Sequence, residues 1–152
     1  NSTFVFFLFC IDRFSKIYII ELAEKTNVSE IYITPFLNSY LVWNTGIAFG
    51  LFSFSSELTY NLFTVLIALI NIIIIYLVII TKDFRKYFLL LILGGSFGNL
   101  FDRIYYSSVP DFIDFHIGNF HWFIFNIADI FITVGVICLI LAELLYKKET
   151  NE

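Results

Sequence analysis

The chain between Glu57 and Lys82 runs LTYNLFTVLIALINIIIIYLVIIT, 24 residues without a charged side chain. An α-helix needs about 20 mostly apolar residues to cross the hydrocarbon core of a bilayer. Residues 60–81 are therefore predicted to be a transmembrane helix. The whole sequence is similarly apolar, because 59% of its 152 residues are hydrophobic and only 14% are charged, whereas an ordinary soluble domain is about 25% charged.

Three further apolar segments flank this one and have the length of a membrane helix. They are about residues 3–22, 84–105 and 122–146. The predicted fold is an all-α membrane protein with four transmembrane helices in one integral-membrane domain, residues 1–152. Asp12, Arg13 and Lys16 interrupt the first apolar segment, which argues against a cleavable signal peptide.

The composition excludes several classes of protein. The large apolar content rules out disorder, and a net charge of −4 argues against a nucleic-acid partner, which needs a basic surface. Cys10 and Cys138 are too few for a disulfide scaffold, and buried thiols are the favoured interpretation. Because the sequence contains no methionine, we expect further residues before Asn1.

Basic residues predict the orientation of the chain in the membrane. Lys82, Arg85 and Lys86 lie between the second and third spans, and Lys147 and Lys148 follow the fourth. An even number of spans puts these two groups on the same side, and the positive-inside rule makes that side cytoplasmic. Both termini are then cytoplasmic, and the other two connections face outside.

The first outer connection, between spans one and two, is predicted to be β-rich. Residues 31–43, IYITPFLNSYLVW, are rich in β-branched and aromatic side chains and predict a strand. Pro35 restricts such a strand to an edge or a bulge, and Asn44-Thr45-Gly46 is typical of a turn. The aromatic residues of this connection suit a structure that lies at the headgroup level of the membrane.

Charged side chains inside the predicted spans are candidates for function. Each costs about 2.5–3.5 kcal/mol at mid-membrane on insertion scales. The charged residues in or next to the spans are Asp12, Arg13, Lys16, Asp102, Arg103, Asp111 and Asp129. Span three runs outward and span four runs inward, so the late polar residues of one and the early polar residues of the other are expected to meet near the outer face.

Two of these carboxyl groups form a candidate catalytic pair. Asp129 is predicted to lie about seven residues, roughly 10 Å, into the fourth span, with Asn126 on the same face, and Asp111 on the short connection above it. Two carboxyls close together in a low dielectric share a proton, as in aspartic peptidases. The alternative makes Asp111 a solvated loop residue and Asp129 a hydrogen-bonding residue of the bundle.

The end of the third span carries a second polar group. Asn99, Asp102 and Arg103 are three or four residues apart and share about one helical face. One interpretation is an ion pair between Asp102 and Arg103 that closes the outer end of span three. Alternatively, Arg103 holds a substrate carbonyl or orients the segment that carries Asp111.

Two other groups favour structural interpretations. Asp12 and Lys16 have the i,i+4 spacing of a helix ion pair, and Arg13 is expected to point elsewhere. The segment Gly94-Gly95-Ser96-Phe97-Gly98 has the small-residue spacing that allows close helix packing. A cleft for an acyl chain is the alternative for these glycines.

A metal site is not predicted. His116 and His121 lie near Asp111 and Asp114, but their spacing matches no familiar metal-binding motif. Histidines at the membrane interface are the favoured interpretation.

Five segments share their motifs and order with a known family. They are Asp12-Arg13-Phe14-Ser15-Lys16, Asn44-Thr45-Gly46-Ile47-Ala48-Phe49-Gly50, Gly94-Gly95-Ser96-Phe97-Gly98-Asn99-Leu100-Phe101-Asp102-Arg103, Val109-Pro110-Asp111-Phe112-Ile113-Asp114 and Phe125-Asn126-Ile127-Ala128-Asp129. In these segments the sequence resembles the lipoprotein signal peptidases, the type II signal peptidases of bacteria. Arg13 stands where the family usually has glutamine, and Pro110 where an aliphatic residue is commoner.

The resemblance implies an intramembrane aspartic endopeptidase whose catalytic pair is Asp111 and Asp129. It would remove the signal peptide of a prolipoprotein by cutting just before the diacylglyceryl cysteine. The residues implied to shape the substrate site are Asn44, Gly95, Asn99, Arg103, Asn126 and Ala128. The residues implied to support the bundle are Asp12, Lys16 and Asp102. The strands of the first outer connection are implied to form the family's small β-rich cradle on the membrane surface, between spans one and two.

The same resemblance implies the partners and the location. The substrate is a diacylglyceryl-prolipoprotein held in membrane lipid, water is the nucleophile, and neither a metal nor another cofactor is expected. We expect a monomer in the bacterial inner membrane with its active site near the extracytoplasmic face. The alternative function is a small proton- or ion-coupled transporter or channel subunit that uses the intramembrane aspartates as a relay.

Overall fold

The computed structural model describes residues 1–46 and 57–149, which form four helices and four strands. The helices are α1 (Ser2–Thr26), α2 (Glu57–Ile80), α3 (Arg85–Tyr106) and α4 (Ile127–Glu149). The strands are β1 (Glu30–Thr34), β2 (Leu37–Asn44), β3 (Val109–Ile117) and β4 (Phe120–Phe125). Each hydrophobic segment predicted from the sequence therefore contains a helix, and the sheet comes from the connections α1–α2 and α3–α4.

Three of these helices, α2, α3 and α4, are long and apolar enough to cross a membrane. The outward face of α2 is apolar and suited to contact with lipid, because Leu62, Ile72 and Ile79 are each more than 60% exposed. Within the described residues α1 is not among the three, although it has 25 residues, and its charged side chains lower its hydropathy. The four-span count therefore stays a prediction.

The sheet is larger than the predicted cradle, which was expected to come only from the connection between spans one and two. Its order is β1-β2-β3-β4 with every pair antiparallel, so half of it is supplied by the connection between α3 and α4. The single strand predicted over 31–43 is two strands, with Pro35 and Phe36 in the turn between them. Proline has no N–H to donate to a strand ladder, which explains why it stands in the turn.

The predicted start of the fourth span at Trp122 is wrong. Residues 120–125 form β4, whose Phe125 is paired with Ile113 of β3, and α4 begins at Ile127. A short run of aromatic residues fits a strand and a buried helix equally well by periodicity. The correction moves Asp129 from the inside of a helix to its first turn.

Glycines bring α3 close to its neighbours, as the packing interpretation predicts. A Cβ at Gly95 would overlap the carbonyl oxygen of Ala128 in α4, and one at Gly98 would overlap the Asp12 carboxylate in α1. A Cβ at Gly94 would lie only 2.8 Å from the Leu8 side chain. Small residues thus allow α3 to contact both α1 and α4 beside the polar residues of the site.

Candidate active site

Asp129 is held by the N-terminal cap of α4. The side-chain oxygen of Asn126 accepts a hydrogen bond from the Asp129 N–H at 3.1 Å, and a carboxylate oxygen of Asp129 accepts one from the Asn126 N–H at 3.1 Å. This reciprocal pattern satisfies two backbone donors that a helix start otherwise leaves unpaired. The cap therefore fixes the carboxylate at the positive end of the helix dipole.

Asp111 lies in β3 and faces the same asparagine. Its two carboxylate oxygens accept hydrogen bonds from the Asn126 Nδ2 at 2.6 Å and from the Asn44 Nδ2 at 2.8 Å. The side chain is buried, as is that of Asp129. Asn126 is thus hydrogen-bonded to both aspartates, and the structure brings together two acids that are 18 positions apart in the chain.

Asn99 connects this pair to the rest of the bundle. Its Nδ2 donates to a carboxylate oxygen of Asp129 at 2.8 Å, and its Oδ1 accepts from the Lys16 Nζ at 3.0 Å. The amide therefore presents one group to an anion and the other to a cation. Each carboxylate oxygen of Asp129 consequently accepts one hydrogen bond, from Asn99 or from the backbone of Asn126.

A buried network of charged side chains lies next to Asn99, between α1 and α3. The Lys16 Nζ donates to Asp12 at 2.8 Å and to Asp102 at 2.6 Å, and all three side chains are fully buried. The predicted pairing of Asp12 with Lys16 is thus confirmed. The other oxygen of Asp12 accepts from the Ala128 N–H at 3.0 Å, which links the network to the first turn of α4.

Two predictions about this network are wrong. Arg13 does not point elsewhere, since it pairs with Asp102 and lies 4.8 Å from the centre of the Phe101 ring. Asp102 does not pair with Arg103, because consecutive residues on a helix point in different directions. Two cations, Arg13 and Lys16, therefore balance the carboxylates of Asp12 and Asp102.

Arg103 holds the end of the strand that carries Asn44. Its Nη2 donates to the Gly46 carbonyl at 2.9 Å, while the Asn44 Oδ1 accepts from the Gly46 N–H at 2.8 Å and closes the predicted turn. Within residues 1–46 and 57–149, the Nε and Nη1 of Arg103 have no hydrogen-bond partner. The remainder of the outer-loop motif, residues 47–50, lies outside the described residues.

An apolar groove leads along α4 to Asp129. It has a volume of about 320 Å³ and is lined by Trp122, Phe123, Phe125, Asp129, Ile130, Thr133 and Val134. A larger cleft of about 920 Å³ lies between α1, α2 and α3, but neither aspartate lines it. Of these two cavities, the groove on α4 is the one that reaches an acid of the pair, Asp129.

The environment of Asp111 favours a protonated carboxyl. Burial is the main cause that raises the pKa of Asp111 from 3.8 to about 7, and the neighbouring charge of Asp129 adds to it. Hydrogen bonds from Asn44 and Asn126 act in the opposite direction, as does the charge of Lys16. Asp111 can thus carry a proton near neutral pH, which an exposed aspartate does not.

His116 and His121 both lie beside the carboxylate of Asp114. His121 Nδ1 lies 2.8 Å from Asp114 Oδ2, and the ring of His116 stacks on that of His121 at 5.0 Å. The antiparallel register that places His116 opposite His121 was not predicted, because β3 and β4 were not recognised as strands. Cys10 and Cys138 are free and half-buried.

Known proteins resemble this chain over almost its entire length. A family model described as signal peptidase (SPase) II matches residues 4–145. A lipoprotein signal peptidase of Pelagibacter ubique is 54% identical over 153 aligned positions, covering 100% of this chain and 92% of that relative. One of Anaplasma phagocytophilum is 42% identical, covering 93% and 89%.

Solved structures agree with the sequence comparisons. One structure of a bacterial membrane enzyme has a TM-score of 0.80 and 32% identity, covering 99% of this chain and 90% of that one. A second has a TM-score of 0.74 and 33% identity, covering 94% and 91%. The arrangement of helices and sheet is therefore that of a known membrane enzyme.

Proposed function

The chain belongs to the signal peptidase II family, and we propose from that premise that Asp111 and Asp129 hydrolyse the peptide bond before a lipid-modified cysteine. The family is one of membrane proteases that process lipoproteins. The observation that carries the proposal is the hydrogen bonding of Asn126 to both carboxylates. A transporter or channel relay is not retained, because the matched relatives are peptidases.

The two acids have different roles in the proposed reaction. Asp129, which accepts an N–H at a helix start, is the ionised base that takes a proton from water. Asp111 carries the proton that is given to the oxygen of the scissile carbonyl as the water oxygen bonds to its carbon. The resulting tetrahedral intermediate collapses when the C–N bond breaks. The cysteine nitrogen takes a proton from Asp129, and one hydroxyl of the intermediate returns its proton to Asp111 as the carbonyl re-forms.

Substrate contacts are proposed from the surroundings of the pair. The groove along α4 fits an acyl chain, because its walls are mostly apolar and Asp129 is one of its lining residues. The Nε and Nη1 of Arg103 can donate to a substrate carbonyl near Gly46. Asn44, Asn99 and Asn126 orient the acids, whereas Gly95 and Ala128 pack α3 against α4.

The membrane arrangement is proposed to have four spans, with α1 as the first. Its buried charges are paired within the bundle, so they face protein and not lipid. The termini are cytoplasmic by the positive-inside rule, which puts the sheet and the aspartates near the extracytoplasmic face. The enzyme acts as a monomer, because the proposed acids and their hydrogen-bond donors all come from one chain.

Cleavage of a lipidated substrate tests the proposed function. Purified protein in detergent is expected to cut a diacylglyceryl-prolipoprotein and to leave the unlipidated form intact, because only the former has acyl chains for the groove. Mass spectrometry of the product should place the cut immediately before the modified cysteine. Equal cleavage of both forms would contradict the role of the lipid.

The pH profile tests the proton on Asp111. Since the pKa of Asp111 is raised to about 7, the pair loses its last shared proton as pH rises through this value. We expect kcat/KM to fall on the alkaline side of about pH 7. Because the native pKa lies above the unfolded one, Asp111 also removes stability as pH rises from about 4 to about 7. A rate that stays constant from pH 6 to about 9 would contradict this assignment.

A further inference from the structure

We propose that the β3–β4 hairpin binds a divalent transition-metal ion, Zn²⁺ by its chemistry, on Asp114, His116 and His121. These residues each place one ligand atom so that all three atoms lie within 4.8 Å of one another. Two imidazoles and one carboxylate are a ligand set that suits zinc. The site shares no residue with the aspartate pair and does not depend on the proposed peptidase mechanism.

The distances allow coordination with small movements. Asp114 Oδ2 lies 2.8 Å from His121 Nδ1 and 3.8 Å from His116 Nδ1. Zinc bonds of about 2.0–2.2 Å in tetrahedral geometry put ligand atoms about 3.3–3.5 Å apart, between these two values. The His121 side chain is 54% exposed, so its ring can adjust while Asp114 and His116 stay in place.

One unpaired atom points to a ligand. His116 is 92% buried, and its Nδ1 has no hydrogen-bond partner among the residues that the structure describes. A buried polar atom without a partner is costly. A metal ion next to Asp114 would use the lone pair of this nitrogen, and its charge would also offset that of the buried carboxylate.

The fold holds two of the ligands through its backbone. The register of β3 and β4 shifts between Asp114 and His116, and the His116 N–H donates to the Phe36 carbonyl at 3.0 Å across to the β1–β2 turn. His116 and His121 are then directly opposed on the two strands. An ion bound here would tie both strands of the hairpin together close to its turn at Gly118, and Asp111 lies three residues before Asp114 in the same strand.

Titration with Zn²⁺ in detergent tests the site directly. The protein should carry an affinity tag without histidine, and serines should replace Cys10 and Cys138 so that thiols contribute nothing. We expect one Zn²⁺ per chain by calorimetry and a rise in the unfolding temperature. The chain has only two histidines, so the ¹⁵N spectrum of labelled histidine should show both Nδ1 signals shift on binding.

Variants separate a site from adventitious binding. His121→Ala, at an exposed side chain, should weaken zinc binding more than about 100-fold, and His116→Gln should do the same. Asp83→Asn, in the connection between α2 and α3, and Asp111→Asn should bind zinc as the parent does. Absence of binding, a stoichiometry unchanged in His121→Ala, or unshifted histidine signals would each overturn the proposal, whatever the peptidase assay shows.

Discussion

Changing Asp111 or Asp129 to asparagine is expected to lower the cleavage rate of lipidated prolipoprotein about 10²–10⁴-fold. Asparagine can neither take a proton from water nor give one to the scissile carbonyl, while its size is almost the same. The loss should appear mainly in kcat, because the carboxyls act on the reacting atoms. Single-turnover cleavage with purified variants measures it.

Stability of the same variants separates chemistry from folding. The raised pKa of Asp111 means that its charged form is disfavoured by the fold, so Asp111→Asn should unfold at the same or a higher temperature than the parent at pH about 8. Asp83→Asn makes the same chemical change in the α2–α3 connection and should cleave normally. Activity of either active-site variant within about threefold of the parent would reject the catalytic pair.

Lys16→Met is expected to cost the largest amount of stability among the single changes considered, about 3–5 kcal/mol. The Lys16 ammonium lies within 3.0 Å of oxygens of Asp12, Asn99 and Asp102. Removing it leaves the carboxylate of Asp12 without its cation in a fully buried position. The midpoint of thermal denaturation in detergent, or the yield of folded protein after mild heating, measures the loss of stability.

Lys25→Met is the matched control on the same helix. Lys25 also forms an i,i+4 pair, with Glu21, but its side chain is 73% exposed, so solvent replaces the lost partner and stability should hardly change. Adding Asp12→Asn to Lys16→Met should recover part of the loss, because it removes the unpaired charge. A Lys16→Met protein with normal stability and a reduced turnover would contradict the structural role of this network.

The sequence was sufficient to predict that each apolar segment contains a helix, although not where α4 begins. A membrane-spanning helix was predicted for residues 58–81, because so long an apolar segment without a charge is stable only in lipid. The structure has α2 over Glu57–Ile80. Asp12 and Lys16 could be paired from their spacing alone. The five motifs, each short, also indicated the family that the comparisons identify.

The sheet was predicted only in part, because strand pairing depends on residues distant in the chain. Residues 120–125 pair with β3, and nothing in their own sequence separates a strand from a helix start. Missing that boundary displaced Asp129 by about one and a half helical turns along the predicted helix. The Asn126 cap, with an acid three residues later, was the signal that could have placed the start of α4 correctly.

The partners of Arg13, Asp102 and Arg103 could be identified only from the folded structure. Asp102 and Arg103 are adjacent in sequence, but a helix turns them to different neighbours, so one contacts α1 and the other holds Gly46. A charge such as that of Arg13 is costly in an apolar helix. In the folded chain that cost is reduced by Asp102 and by the ring of Phe101.

A crystal structure with a non-cleavable substrate analogue tests the central claim most directly. The analogue should carry a hydroxyl group in place of the scissile carbonyl, so that it resembles the tetrahedral intermediate. We predict that this hydroxyl lies within about 2.5–3.2 Å of carboxylate oxygens of both Asp111 and Asp129, with the lipid in the groove along α4. A hydroxyl that contacts neither acid, or acids too far apart to contact one water molecule, would contradict the account.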